Sequence, residues 1–203
     1  TDQVHEVDRN LELLKPLGIL AKLKPKLQVS KATFASIEKY KTIPYITVAP
    51  ASIWKTKQFP AHKWIAFIKA IEFQLAIYII GGPDDKKLGN EIQKQTHSGV
   101  VNLCGTLNLL QSAALMEGAL MNYMNDSAPM HLASAMNAPT TAIFCSTIPA
   151  FGFGPLADDR TVIESDQKLT CRPCGIHGSK DCPEKHFDCA EKIPVKSLLA
   201  RLP

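Results

Sequence analysis

The chain has 203 residues, of which 45% are hydrophobic and 21% are charged. This composition is typical of one large globular domain, or of one domain with an appendage. The 23 basic and 19 acidic residues give a net charge of +4 without a long Lys/Arg run or a basic-aromatic stripe. The charge pattern therefore argues against a nucleic-acid partner and only weakly favours an anionic ligand.

The first 43 residues differ from the rest of the chain. Val7–Leu20 has the pattern of a Leu-rich helix, and Lys22–Thr42 is rich in lysine with scattered apolar positions. No strand pattern precedes either segment, and the chain starts with Thr1 instead of Met. We therefore interpret residues 1–43 as the tail of another domain plus a linker, and expect the natural start to be missing. No apolar run reaches the ~18 residues that span a bilayer, and no signal peptide is visible.

From residue 44 to residue 203 we predict a second domain in which strands and helices alternate. The predicted strands are Tyr45–Ala49, Leu75–Ile80, Val100–Leu103, Leu120–Met124, Thr140–Cys145 and Thr161–Glu164. The predicted helices are Pro60–Phe73, Asp84–Thr96, Leu107–Gly118 and one that starts at Asp126 or Ser127. This alternation predicts an α/β fold with a Rossmann-like parallel sheet flanked by helices. Ligands of such sheets bind beyond the carboxyl ends of the strands.

The segment after the fourth predicted strand has the features of a phosphate site. Asn125, Asp126 and Ser127 lead into a helix of small residues, and either Asp126 or Ser127 can cap that helix. The unpaired N–H groups and the positive dipole of a helix start favour a phosphate. His131 lies on the first turn, close enough to face such a group. The alternative is an ordinary capped helix with a core histidine.

Two further loops follow predicted strands. In residues 50–60, Ser52 can donate a hydrogen bond to a diphosphate and Lys57 can supply a positive charge, although a solvated lysine loop explains the same residues. After the next strand, Gly81-Gly82-Pro83 forms a tight turn, and Asp84 and Asp85 can accept hydrogen bonds from ribose hydroxyls. A turn with a helix-capping aspartate, Asp84 above all, is the alternative.

Four cysteines lie in a loop of residues 169–190 with the spacing Cys171-x2-Cys174-x7-Cys182-x6-Cys189. Four thiolates at such spacing can hold a structural Zn²⁺ tetrahedrally. Two disulfides or four reduced thiols are the alternatives. Cys104 and Cys145 lie in apolar segments and are interpreted as buried thiols.

Taken together, these motifs resemble the donor-binding half of the ADP-heptose:lipopolysaccharide heptosyltransferases, which form family nine of the glycosyltransferases. The resemblance runs from about residue 44 to residue 155, and His5–Leu14 is similar to the helix before the interdomain linker. The matching segments are Pro50–Pro60, Gly81–Pro83, Asn102–Gly105 and Asn125–His131.

The resemblance implies the C-terminal lobe of a GT-B glycosyltransferase and assigns roles to individual residues. It implies that Ser52 and Lys57 contact the diphosphate, and that Asp126, Ser127 and Ala128 contact phosphate and heptose, with His131 nearby. Asp84, Asp85 and the backbone near Thr106 would approach ribose and adenine. Two residues depart from the family pattern, because Ala51 and Ala128 replace glycines, and a methyl group at residue 128 narrows the approach of phosphate.

The implied activity is inverting transfer of heptose from ADP-heptose to the inner core of lipopolysaccharide, with a lipid A–Kdo type of acceptor. The resemblance implies a cytoplasmic enzyme at the inner face of the inner membrane, which disfavours disulfides, and implies no cofactor for the chemistry. The general base would belong to the N-terminal lobe, so we expect this chain to bind ADP or ADP-heptose without turnover. The alternatives are a non-catalytic nucleotide-binding or interaction module, and a GT-B transferase with another donor sugar.

Overall fold

The computed structural model describes residues 4–20, 23–72 and 75–202. A single six-stranded sheet organises them, with all strands parallel and the order β3-β2-β1-β4-β5-β6. Its strands are Tyr45–Ala49 (β1), Ala76–Ile79 (β2), Val100–Asn102 (β3), Met121–Asn125 (β4), Thr140–Ile143 (β5) and Arg160–Ile163 (β6). All six predicted strands are confirmed. The strand order reverses between β1 and β4, and at such a point the loops beyond the carboxyl ends diverge and leave a crevice.

Helices cover both faces of the sheet. They are Glu6–Glu12 (α1), Lys31–Ile37 (α2), Ala61–Lys69 (α3), Lys86–Lys94 (α4), Leu109–Glu117 (α5), Ala128–Ala135 (α6), Asp188–Glu191 (α7) and Val195–Leu199 (α8). Among the described residues, none of these helices is long and apolar enough to cross a membrane. The predicted α/β fold with flanking helices is confirmed. The end of the helix predicted at Pro60–Phe73 lies outside the described residues.

Four strands, β1, β2, β4 and β5, are buried on both faces because each face carries its own hydrophobic core. On one face, Ile46 and Val48 of β1 pack with α3, α4 and α8. On the other face, Tyr45 and Ala49 pack with α5 and α6. Successive side chains of a strand point to opposite faces, so both sets come from one five-residue strand. This two-sided burial explains why β1 and β2 are nearly continuous apolar runs in the sequence.

The first 43 residues are less helical than predicted. The helix predicted at Val7–Leu20 ends at Glu12 and is followed by a short 3-10 turn at Lys15–Leu17. Leu13 and Leu17 are then largely exposed. The lysine-rich segment, of which Lys22 lies outside the described residues, contains helix α2, which packs against α5. The domain division at residue 43 stays a prediction.

Candidate functional site

A buried asparagine at the end of β4 fixes the loop that follows β1. The side-chain oxygen of Asn125 accepts a hydrogen bond from the backbone N–H of Phe59 at 2.9 Å. Its Nδ2 donates to the carbonyl of Pro50 at 2.7 Å. Both ends of the 50–60 loop are therefore tied to the neighbouring strand. Sequence reasoning assigned Asn125 no role, although an amide at the end of a buried strand needs such partners.

Lys57 and Asp126 meet in the crevice between β1 and β4. Lys57 Nζ lies 2.6 Å from Asp126 Oδ2, and the two side chains are only 15% and 7% exposed. The same carboxylate oxygen accepts a hydrogen bond from Thr147 Oγ1 at 2.7 Å. Thr147 follows β5 and was not predicted as a site residue. The arrangement holds an ammonium group beside the start of α6, so the alternative of a solvated lysine loop is wrong for Lys57.

The start of helix α6 lacks a side-chain cap. Ser127 occupies the N-cap position, but its hydroxyl contacts the carbonyl of Asn125 at 3.3 Å and caps no helical N–H. The carboxylate of Asp126 is engaged by Lys57 and Thr147. The predicted side-chain capping by Asp126 or Ser127 is therefore wrong. Ala128 is exposed at the first helical position, so the helix start presents its dipole to an approaching anion.

His131 lies at the surface and is not a core histidine. Its ring centroid is 6.4 Å from that of Phe153, in an edge-on arrangement. Loss of solvation lowers the pKa of His131, Asp126 opposes this shift, and His5 and Lys57 add to it. The imidazole is therefore biased towards its neutral form beside the Lys57–Asp126 pair. Such a ring can accept or donate a hydrogen bond without adding a full charge.

The Gly81–Asp85 turn is shaped by Asp85. Its carboxylate accepts a hydrogen bond from the backbone N–H of Gly82 at 2.8 Å. A Cβ at Gly81 would lie 2.7 Å from that carboxylate, so only glycine fits this close approach. The tight turn of the alternative is present, but no aspartate caps the following helix, because Asp85 at the N-cap of α4 makes no side-chain cap hydrogen bond and closes the turn on Gly82 instead. Asp84 is exposed, and its contact with ribose stays a prediction.

The remaining predicted donor residues lie along the same edge of the sheet. Ser52 is half-buried, and its carbonyl accepts a hydrogen bond from Gln58 Nε2 at 2.6 Å. Thr106 is exposed, and its backbone N–H donates to the carbonyl of Leu103 at 2.9 Å. The structure therefore brings Lys57, Asp126 and His131 together. It leaves Asp84, Asp85 and Thr106 on the β2–β3 side of the crevice.

The six cysteines are free thiols. Burial raises the pKa of Cys104 to about 12 and that of Cys145 well above its usual range. In the Cys-rich loop (residues 169–190), burial raises the pKa of Cys189 to about 12, and the other three thiols add to the shift. The four thiols are neighbours, yet no three His, Cys, Asp or Glu side chains in the described part of the chain are placed to hold a metal. As arranged here they do not form a zinc ligand set.

A cavity of about 320 Å³ lies between the 3-10 turn Lys55–Lys57 and the Cys-rich loop. Its lining residues are Lys55, Thr56, Asp181, Cys182, Lys185 and Phe187. None of the predicted donor-binding residues lines it. This cavity is therefore separate from the crevice that contains Lys57 and Asp126.

The order and geometry of these motifs agree with one protein family. The family model for glycosyltransferase family 9 (heptosyltransferase) matches residues 1–186. The chain belongs to glycosyltransferase family 9. The resemblance seen in the sequence motifs is confirmed, and the crevice residues belong to a domain of this family.

Known members of the family share moderate similarity with the chain. Lipooligosaccharide heptosyltransferase 2 of Haemophilus influenzae is 30% identical over 155 residues, which cover 70% of this chain and 44% of the relative. The solved structure of Escherichia coli ADP-heptose lps heptosyltransferase II matches 91% of this chain and 55% of that chain, with a TM-score of 0.69 and 23% identity. The structure of E. coli heptosyltransferase WaaC with ADP matches 98% of this chain and 56% of that chain, with a TM-score of 0.65 and 19% identity.

The two structural matches establish the fold, which is that of one part of a larger enzyme. The chain spans about half the length of the relatives that it matches. In this family 9 chain, the crevice between β1 and β4 brings together Lys57 and Asp126, two of the predicted donor-binding residues.

Proposed function

We propose that this chain is the donor-binding part of a heptosyltransferase, which transfers heptose from ADP-heptose to the inner core of lipopolysaccharide with inversion. The observation that carries the proposal is the Lys57–Asp126 pair beside the uncapped start of α6. A relative is named lipooligosaccharide heptosyltransferase 2, and a neighbour of the same fold was solved with ADP. The name of the relative supports heptose as the sugar, and the ADP of the neighbouring structure supports an adenine nucleotide.

The geometry fits a diphosphate leaving group. When the glycosidic bond breaks, negative charge develops on the diphosphate, and a fixed positive field stabilises it. Lys57 supplies a charge, and the first turn of α6 supplies backbone N–H groups and a helix dipole. Ser52 would add a hydroxyl donor from the same loop as Lys57. No metal ion is needed for this stabilisation, so we propose that the transfer needs no cofactor.

The acceptor hydroxyl needs a general base, which we place outside this chain. Asp126 is unsuited to the role because its carboxylate is paired with Lys57 and accepts a hydrogen bond from Thr147. A carboxylate used in this way positions the lysine. We propose that the N-terminal lobe supplies an acidic base, so that this chain binds the donor but does not catalyse transfer alone. We also propose a cytoplasmic location, with contact to the inner membrane through the lipid acceptor.

Calorimetric titration of the chain with ADP and with UDP tests the donor assignment. We expect ADP to bind and UDP to bind much more weakly. Lys57→Gln should weaken ADP binding about tenfold or more, since a charge-assisted contact is worth about 1.5–3 kcal/mol. Lys55→Gln is the matched control, because Lys55 lies on the same turn but its side chain is 75% exposed. Binding of UDP in preference to ADP would contradict the donor assignment.

Transfer itself is tested on the longest protein that the gene encodes. We expect that protein to transfer heptose from ADP-heptose to a lipid A–Kdo acceptor, and the 203-residue chain alone to show no transfer. ADP binding without transfer by the longer protein would instead support the non-catalytic nucleotide-binding module. Transfer only from another nucleotide sugar would support a GT-B enzyme with a different donor.

We propose a structural zinc ion for the Cys-rich loop as a second, independent part of the function. Four thiolates are a suitable donor set for Zn²⁺, and Cys171, Cys174, Cys182 and Cys189 lie near one another. The side chains would have to draw closer than they lie in this structure. Elemental analysis of protein purified without chelators should find one zinc per chain, and the absence of zinc would reject this part of the proposal.

A further inference from the structure

The Cys-rich loop is tied to the loop that carries Lys57 through one buried hydroxyl. Thr56 is 2% exposed. Its Oγ1 accepts hydrogen bonds from Ser179 N at 2.7 Å and from Ser146 Oγ at 3.1 Å, and it donates to the carbonyl of Ser179 at 3.0 Å. The backbone N–H of Thr56 also donates to that carbonyl at 3.1 Å. The hydroxyl is therefore fully used in joining three segments of the chain.

The Cys-rich loop also lies close to the side chain of Lys57. Gly178, in the Cys-rich loop, has a φ of +76°. A Cβ at this position would lie 3.0 Å from Thr56 Oγ1 and 3.3 Å from Lys57 Cγ. The backbone of the Cys-rich loop therefore packs directly against the stem of the lysine. This packed contact gives the loop a direct route to the position of the lysine side chain.

The same loop also fixes the other half of the ion pair. Arg172 donates to the carbonyls of Cys145 and Thr147, each at 2.6 Å, and to that of Phe144 at 3.1 Å. It is paired with Glu164 as well. These carbonyls belong to the segment after β5, whose Thr147 hydroxyl binds Asp126 at 2.7 Å. Arg172 therefore fixes the backbone of Thr147, whose hydroxyl is the second partner of the Asp126 carboxylate besides Lys57.

We propose that the Cys-rich loop is a positioning element for the Lys57–Asp126 pair and acts through Thr56 and Arg172. Thr56 holds the lysine side of the pair, and Arg172 holds the aspartate side through Thr147. Ser146, in the segment after β5, contacts both the loop and Thr56: its carbonyl accepts a hydrogen bond from the backbone N–H of Cys174 at 2.8 Å, and its Oγ donates to Thr56 Oγ1 at 3.1 Å. The benefit to donor binding rests on the proposed function, because charge stabilisation requires groups held within about 0.5 Å of their working positions.

Acylation of lysines by acetic anhydride, followed by mass spectrometry, tests the positioning without any ligand. In the unaltered chain Lys57 should react about tenfold more slowly than Lys55, because it is paired and nearly buried. Thr56→Val and Arg172→Lys should each speed the labelling of Lys57 about three- to tenfold. Lys55 should keep its rate. Lys63, whose ammonium donates to the carbonyl of Ile193 at 2.6 Å, should also keep its rate unless the whole chain unfolds.

Two further variants separate positioning from general damage to the fold. Thr56→Ser keeps the hydroxyl and should restore slow labelling of Lys57. Ser146→Ala removes one of the contacts to Thr56 and gives a milder variant in case Thr56→Val does not fold. Arg201→Lys is the matched control for Arg172→Lys, since Arg201 pairs with Asp159 away from the crevice. Folded variants with unchanged Lys57 labelling would overturn the inference.

ADP titration of the same variants distinguishes the two proposals. If the unaltered chain binds ADP, Thr56→Val and Arg172→Lys should weaken binding about three- to tenfold, while Thr56→Ser and Arg201→Lys should not. If the unaltered chain does not bind ADP, the proposed function fails, and the labelling rates still decide whether the loop positions Lys57. Unchanged ADP affinity in variants with faster Lys57 labelling would overturn the link to donor binding.

Discussion

Lys57 Nζ and Asp126 Oδ2 lie 2.6 Å apart, although one residue follows β1 and the other follows β4. The contact forms because β1 and β4 are neighbours in the sheet while their crossover connections lead to opposite faces. The loops therefore diverge above the sheet and leave room beside the start of α6. The ion pair fixes the ammonium group in that space, where an anion can reach the helix dipole.

The buried ion pair should contribute to stability as a coupled unit. Asp126→Asn removes the charge but keeps the shape, and leaves the ammonium of Lys57 nearly buried without its partner. We expect this change, and Lys57→Met, each to lower the free energy of unfolding by about 1–3 kcal/mol. The double variant should lose less than the sum of the two. Urea denaturation of all four proteins measures the coupling, and strictly additive losses would contradict a direct interaction.

Ala128 should limit how closely a phosphate approaches α6. Its methyl group lies at the exposed first position of the helix. We expect Ala128→Gly to tighten ADP binding about two- to fivefold, since backbone without a side chain lets a ligand come closer. Ala61→Gly is the control, because Ala61 is the first residue of α3. Calorimetry should show tighter ADP binding for Ala128→Gly only. Equal effects of Ala128→Gly and Ala61→Gly would refute the steric explanation.

His131 should make the stability of the chain depend on pH. Its pKa in the folded protein is lowered mainly by loss of solvation, whereas the unfolded chain titrates near the ordinary value of about 6.5. Below that value the unfolded state binds more protons than the folded state, so stability should fall as the pH falls. The contribution of His131 is fully present above the unfolded pKa.

Unfolding midpoints in urea at about pH 7.5 and about pH 5.5 measure this dependence. His131→Gln removes the titration and should reduce the difference between the two midpoints. An unchanged difference in His131→Gln would show that other groups cause the pH dependence.

The cysteines should differ in their reactivity with iodoacetamide. Cys104, Cys145 and Cys189 are buried, and burial raises their pKa values, so few of their thiols are both ionised and accessible. Cys171 and Cys182 are only half-buried and should be alkylated first in the metal-free protein. Peptide mapping after short exposure measures the order. Early alkylation of Cys145 would contradict its position in the core.

Much of the fold could be predicted because strands such as β1 and β2 are short apolar runs bounded by turn residues. Tyr45–Ala49, for example, is the predicted and the observed β1. Helix α2 and the C-terminal helices α7 and α8 were not predicted, since α7 and α8 have only four and five residues and leave little room for a periodic pattern. Residues that act across the sheet were missed for a related reason. Thr147 lies in no local motif, and the cysteine spacing around Arg172 indicates nothing about the arginine, so both roles arise only from long-range contacts.

We propose that the phosphate end of a nucleotide sugar binds between Lys57, Asp126 and the start of α6. Two-dimensional ¹H–¹⁵N spectra of the labelled chain, recorded during titration with ADP, test it most directly. We predict the largest shifts at the backbone amides of Lys57, Ser127 and Ala128, and none at Lys185 in the separate cavity beside the Cys-rich loop. Shifts confined to that cavity, or no shifts at saturating ADP, would show that ADP does not bind at the start of α6.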